Sequence, residues 1–116
     1  MSRADLAIVG GDVVTSHVGR ASVIVRDGRI EAIQAPDLPI DADRIIDATG
    51  MLVIPGVIDI HFHCRDPSYA HRGDFASETR AAAAGGVTTI FEMPISKPAT
   101  SSLERWRVRR DIAAEK

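Results

Sequence analysis

What this chain has little of narrows its class before any motif is read. It holds one cysteine, Cys64, so no disulfide can close within it, and a lone thiol fits a reducing compartment. It has little net charge: 14 Lys and Arg stand against 16 Asp and Glu, a formal balance of −2. A chain so nearly neutral has no general attraction for nucleic acid or an anionic membrane. Long apolar runs are missing as well. The segment MSRADLAIVGGDVV carries only residues 6–9 as an apolar run, between Asp5 and Gly10, too short for a signal-peptide core or a membrane span. There is no internal repeat and no low-complexity tract. The expectation is a soluble, cytoplasmic protein with neither nucleic acid nor membrane as partner. The 45% hydrophobic content argues against disorder, and 116 residues suffice for one small domain.

The first half reads as β-structure. DLAIVGGDVVT is a strand, a Gly-Gly turn and a second strand. In ASVIVRDGRIEAIQA two apolar runs flank Asp27-Gly28, the dipeptide of a type I′ hairpin. RIIDATGMLVIPG adds two short strands, broken at Thr49-Gly50 and closed at Pro55-Gly56. The second half changes period. Residues 57–64 predict a buried strand, RDPSYAHRG a polar loop, and DFASETRAAAAGG a helix with Asp74 as N-cap and Gly85 as the glycine just past its end. VTTIFEMP predicts a strand ended by Pro94. SSLERWRVRRDIAAEK predicts a helix opened by a capping box of Ser101 and Glu104. The order strand, helix, strand, helix is that of a parallel α/β system. The expected division is a small β-rich domain at 1–54 and two βα units at 55–116. Two such units leave open sheet edges, and a closed barrel takes eight units and about 250 residues. The sequence therefore reads as the front part of a larger protein, or as a truncated gene product.

One stretch carries polar chemistry inside an apolar strand. In VIDIHFHCRD, Asp59, His61, His63 and Arg65 alternate with Ile58, Ile60, Phe62 and Cys64. Residues two apart on a strand share a face, so the four polar side chains are expected on one side. Two imidazoles at this spacing can surround one divalent cation, zinc or a similar transition metal. The strand end that follows is where parallel α/β barrels place their active sites. The alternative is a pair of surface histidines on a half-exposed strand. The apolar neighbours predict burial instead, and buried imidazoles need partners. Arg65 could clamp a carboxylate or serve a structural salt bridge. Asp59 could orient a histidine from behind or cap a buried network. Cys64, on the other face, is expected to pack.

The run VIPGVIDIHFHCRDPSYAHRGDFASETRAAAAGGVTTIFEMP resembles the opening of a cyclic amidohydrolase. It is similar to the group of the amidohydrolase superfamily that contains dihydroorotase, allantoinase and dihydropyrimidinase (hydantoinase). The shared features are Pro55-Gly56, the Asp-x-His-x-His-x-Arg run, Asp66-Pro67, the Ala-rich helix running into Gly85-Gly86-Val87-Thr88-Thr89, and Met93-Pro94. Their ordered combination is far more specific than any one of them. The resemblance implies a (β/α)8 barrel of the TIM type preceded by a small β-sandwich-type domain. It implies one or two divalent metal ions, usually zinc, with His61 and His63 on the more buried one, and Arg65 beside the substrate. A carboxylated lysine, two further histidines and a proton-moving aspartate complete such sites. None has a matching position here, and Lys97 and Lys116 stand in the wrong context, so no catalytic residue is expected within these 116 residues. The implied substrate is a small cyclic amide or ureide, and the implied whole protein a homo-oligomer. Where dihydroorotases read Met-Pro-Asn, this chain reads Met93-Pro94-Ile95, which removes an amide that helps hold a substrate carboxylate and leans toward allantoinase-like ureides or imides. A competing reading is a non-catalytic relative that serves as a scaffold subunit. Such relatives lose metal ligands, and both histidines are kept here.

Overall fold

The structure, a computed structural model, describes residues 3–116; the first two residues of the expected 1–54 domain lie outside them. The chain divides at Pro55/Gly56 into two compact units.

The first unit is all β. Its strands are β1 (Ala4–Val9), β2 (Asp12–Val14), β3 (Val18–Arg20), β4 (Ser22–Arg26), β5 (Arg29–Gln34), β6 (Ala42–Asp47) and β7 (Leu52–Val53). They form a four-stranded sheet in the order β5-β4-β1-β6 and a three-stranded sheet in the order β3-β2-β7. β1 runs antiparallel to β4 and parallel to β6. Ala4, Ala7, Ile24 and Ala42 form a buried cluster against which Val9, Ala32 and Ile40 pack. The β4–β5 hairpin turns at Asp27 (φ 50°) and Gly28 (φ 69°). Both central residues are left-handed, as a type I′ turn requires and as Asp-Gly encodes. β3 has no counterpart in the sequence reading. It is three exposed residues with a glycine at the centre, too short to show an alternation.

The second unit is mixed α/β: β8 (Val57–Phe62), a 3-10 turn (Ala70–Arg72), α1 (Phe75–Ala84), β9 (Val87–Glu92) and α2 (Leu103–Glu115). β8 and β9 are parallel neighbours joined through α1. α1 starts as expected at Asp74. Its carboxylate accepts the Ser77 amide at 2.8 Å, and the Ser77 hydroxyl accepts the Asp74 amide at 3.0 Å. Its end differs by one residue: Gly85 keeps φ −84°, and the left-handed glycine is Gly86 at φ 84°. At α2 the capping box of Ser101 and Glu104 does not form. Ser101 is drawn back into the preceding turn by its bond to the Ala99 carbonyl, and Ser102 becomes the cap, accepting the Arg105 amide at 3.3 Å.

Two expectations for residues 57–64 are corrected. The strand ends at Phe62 rather than Cys64. Its last rung is Met93 N–H to the Phe62 carbonyl at 2.7 Å, and the Cys64 amide turns to the Glu92 carboxylate instead. Nor is it buried: Ile58 is 58% and Ile60 71% exposed. Among the described residues β8 has one strand neighbour, β9, and a two-stranded ladder cannot cover both faces of either strand.

Candidate functional site

The end of β8 and the turn after it hold the polar residues singled out above. His61 is the next-to-last residue of β8, and His63 lies one residue past its end. The register holds long enough to bring them together: their ring centroids are 5.0 Å apart with the planes at 76°. Among the described residues Asp59 makes no hydrogen bond to either ring. Its Oδ1 accepts the backbone amide of His61 at 3.0 Å, so it fixes the main chain that carries the imidazole. His63 Nδ1 lies 2.7 Å from the carbonyl oxygen of Met93, at the end of β9. A carbonyl can only accept, so Nδ1 carries the hydrogen, and in the neutral ring Nε2 is left with its lone pair. Two nitrogen donors side by side, one with its tautomer set by a main-chain carbonyl, fit two ligand positions of a zinc-type cation. Among the described residues no third His, Cys, Asp or Glu completes a metal-binding group with them.

Arg65 sits in the turn rather than on a strand face. Its backbone is fixed on both sides: its amide donates to the Gly73 carbonyl at 2.9 Å, and its carbonyl accepts the Tyr69 amide at 2.8 Å. Its guanidinium makes no hydrogen bond or ion pair among the described residues. Cys64 is fully buried. Burial, reinforced by the nearby Glu92 carboxylate, pushes its thiol up to about 11, so it stays protonated at neutral pH and packs.

A charged network behind this turn escaped the sequence reading. Arg109 of α2 is 5% exposed. Its guanidinium forks onto Glu92, with Nε 3.1 Å from Oε2 and Nη2 2.5 Å from Oε1. It also donates to the Cys64 carbonyl at 2.7 Å and to the Asp66 carbonyl, and lies 5.1 Å from the centre of the Phe75 ring. The buried Asp66 carboxylate accepts the first amide of α1, Phe75 N–H, at 2.8 Å and the Lys116 ammonium at 3.0 Å. Lys116 also reaches Asp74 at 2.9 Å. The Ser77 amide, the Lys116 ammonium and the Ser77 hydroxyl hold the Asp74 carboxyl well below the usual carboxylate range. The one sequence signal for this network was Glu92 inside an apolar strand, since a carboxylate there needs a partner. Nothing in the charged run RWRVRRD tells which arginine supplies it.

A cavity of about 320 Å³ in the second unit is lined by Pro67, Ser96, Pro98, Thr100, Glu104 and Arg109 among others. Neither histidine faces it.

Comparison with known proteins places these features in context. Residues 50–114 match the family described as dihydro-orotase-like. An allantoinase from Rubrobacter xylanophilus is 44% identical over 117 residues, covering 100% of this chain and 25% of the relative. Among solved structures, the L-hydantoinase (dihydropyrimidinase) from Arthrobacter aurescens superposes with a TM-score of 0.86 at 38% identity, over 95% of this chain and 25% of its own. An N-acyl-D-glutamate deacylase from Bordetella bronchiseptica, solved with zinc and a phosphonate inhibitor, has a TM-score of 0.59 at 33% identity, over 77% of this chain and 18% of its own. The chain spans about a quarter of the length of the curated relatives it matches.

Proposed function

Because the chain belongs to the dihydro-orotase-like family, we propose that it contributes two metal ligands and a substrate-binding arginine to a metal-dependent hydrolase of cyclic amide C–N bonds. The observation that carries this reading is the histidine pair at the end of β8, 5.0 Å apart, with the His63 tautomer set by the Met93 carbonyl. In this reading β8-α1-β9-α2 is the start of a (β/α)8 barrel and the histidines lie at the C-terminal ends of its strands, where such barrels do their chemistry.

His61 and His63 each offer one ring nitrogen to a zinc-type ion. When bound, such an ion supplies Lewis-acid polarisation of a carbonyl and a more acidic water. Met93 holds the hydrogen of His63 on Nδ1 so that Nε2 remains a donor. Asp59 fixes the main chain under His61. Arg65, rigid in its backbone and free at its guanidinium, binds a ring carbonyl or carboxylate of the substrate with charge-assisted hydrogen bonds. Ile95 in place of a side-chain amide favours uncharged ureide and imide rings over dihydroorotate.

The test is to assay the whole protein on hydantoin, allantoin and dihydroorotate, before and after chelation and zinc repletion. Turnover of a ureide ring that is lost with chelator and restored by zinc is the expected result. Failure of the zinc-replete protein to open any of the three rings would contradict the reading.

A further inference from the structure

We infer that Arg109, which lies outside every motif discussed above, is the positioning residue that sets Arg65 for substrate. The inference rests on the reading of Arg65 as a substrate-binding residue.

The carbonyls on both sides of Arg65, those of Cys64 and Asp66, are bound by the single guanidinium of Arg109. That guanidinium is in turn oriented by Glu92, and the same carboxylate accepts the Cys64 amide at 3.3 Å. The main chain from 64 to 66 is therefore held by one planar fork and its counterion. The fork comes from α2, and the counterion from the last residue of β9. The Arg65 amide and carbonyl complete the clamp through Gly73 and Tyr69. The result is a side chain whose root is fixed by five hydrogen bonds to the main chain of residues 64–66 and whose head is unengaged among the described residues. That arrangement lowers the ordering cost of binding, because the turn is in place before substrate arrives. Only arginine can do this from one position. A lysine keeps the charge but has no fork to span two carbonyls and a carboxylate.

The experiment compares wild type with Arg109→Lys and Glu92→Gln in the whole protein. Amide hydrogen exchange is read at Arg65 and Tyr69, with the α1 amides of Thr79 and Arg80 as reference. Arg109→Lys is expected to speed exchange at Arg65 and Tyr69 roughly tenfold, the scale of a lost hydrogen bond, and to leave the α1 reference unchanged. Equal acceleration at both places, or none, would overturn the inference. If Arg109→Lys does not fold, Glu92→Gln takes its place with the same expected and contrary outcomes. In kinetics, Arg109→Lys should raise KM with kcat nearly unchanged when Arg65 is present, and have no further effect in an Arg65→Ala background. Equal losses in both backgrounds would mean that Arg109 supports the fold and does not act through Arg65. If wild type opens no cyclic amide, the functional reading fails, and with it the role toward substrate, while the exchange result still decides whether Arg109 sets the turn that carries Arg65.

Discussion

A neutral imidazole has one lone pair to give, and at His63 the Met93 carbonyl decides which nitrogen gives it. His61 is fixed differently, through its own backbone amide on Asp59. The pairing of the two rings was legible in the sequence, because a two-residue spacing on a strand fixes the face. The strand differs from the expected one: His63 lies beyond its last residue, and Ile58 and Ile60 are exposed. Arg65 also lies outside the strand, in a turn with an unengaged guanidinium. Arg65→Ala should lower kcat/KM by roughly 30-fold, on the order of 2 kcal/mol for a lost charged hydrogen bond, with metal content unchanged. Loss of metal in that variant would make Arg65 a structural residue. Arg109 could not be singled out from the arginines around it, because two of its partners are main-chain carbonyls more than forty residues away, and carbonyls leave no trace in side-chain pattern.

At the level of elements, Gly56, just before β8, lies against Thr88 of β9. A Cβ added there would lie 2.8 Å from Thr88 Cβ, too close for a rotamer change to relieve. Gly56→Ala is therefore expected to push the strands apart and destabilise the second unit by about 1–3 kcal/mol, measured by denaturant unfolding; an unchanged midpoint would show that the gap is open. The start of α1 has a pH signature. The Asp74 carboxyl sits below its ordinary 3.8 in the folded chain, so its contribution is present above that value and is lost as pH falls toward the folded one. Lys116 is raised above its ordinary 10.5 by Asp74 and Asp66, so its contribution is complete below 10.5 and is lost as pH rises through the folded value. Thermal melts should separate wild type from Asp74→Ala at pH 7, and the gap should shrink as pH drops below 3.8. A constant gap would rule out the charged cap. The Asp74 cap was legible because a short acceptor stood immediately before an alanine-rich run free of Gly and Pro. The α2 cap was not, because Ser101 and Ser102 are adjacent and only the turn at Ala99 chooses between them.

For the whole molecule, the family was legible from an ordered set of motifs, and the hairpin of the first unit from Asp-Gly between two apolar runs. The exposure of Ile58 and Ile60 was not, since burial depends on neighbours that no local pattern specifies. The described residues bring two imidazoles to the site and hold no complete metal-binding group, so residues 1–116 expressed alone should show no multiple-turnover hydrolysis of cyclic amides with added zinc. Turnover that survives purification and disappears in a His61→Ala control would mean that fewer groups suffice than this account requires. The central claim, that His61 and His63 hold a metal for cyclic-amide hydrolysis, is tested most directly by elemental analysis of the whole protein after exhaustive dialysis, wild type against the His61→Ala, His63→Ala double variant. The account predicts zinc or a similar metal retained by wild type and lost from the variant. Equal metal content in the two proteins would contradict it.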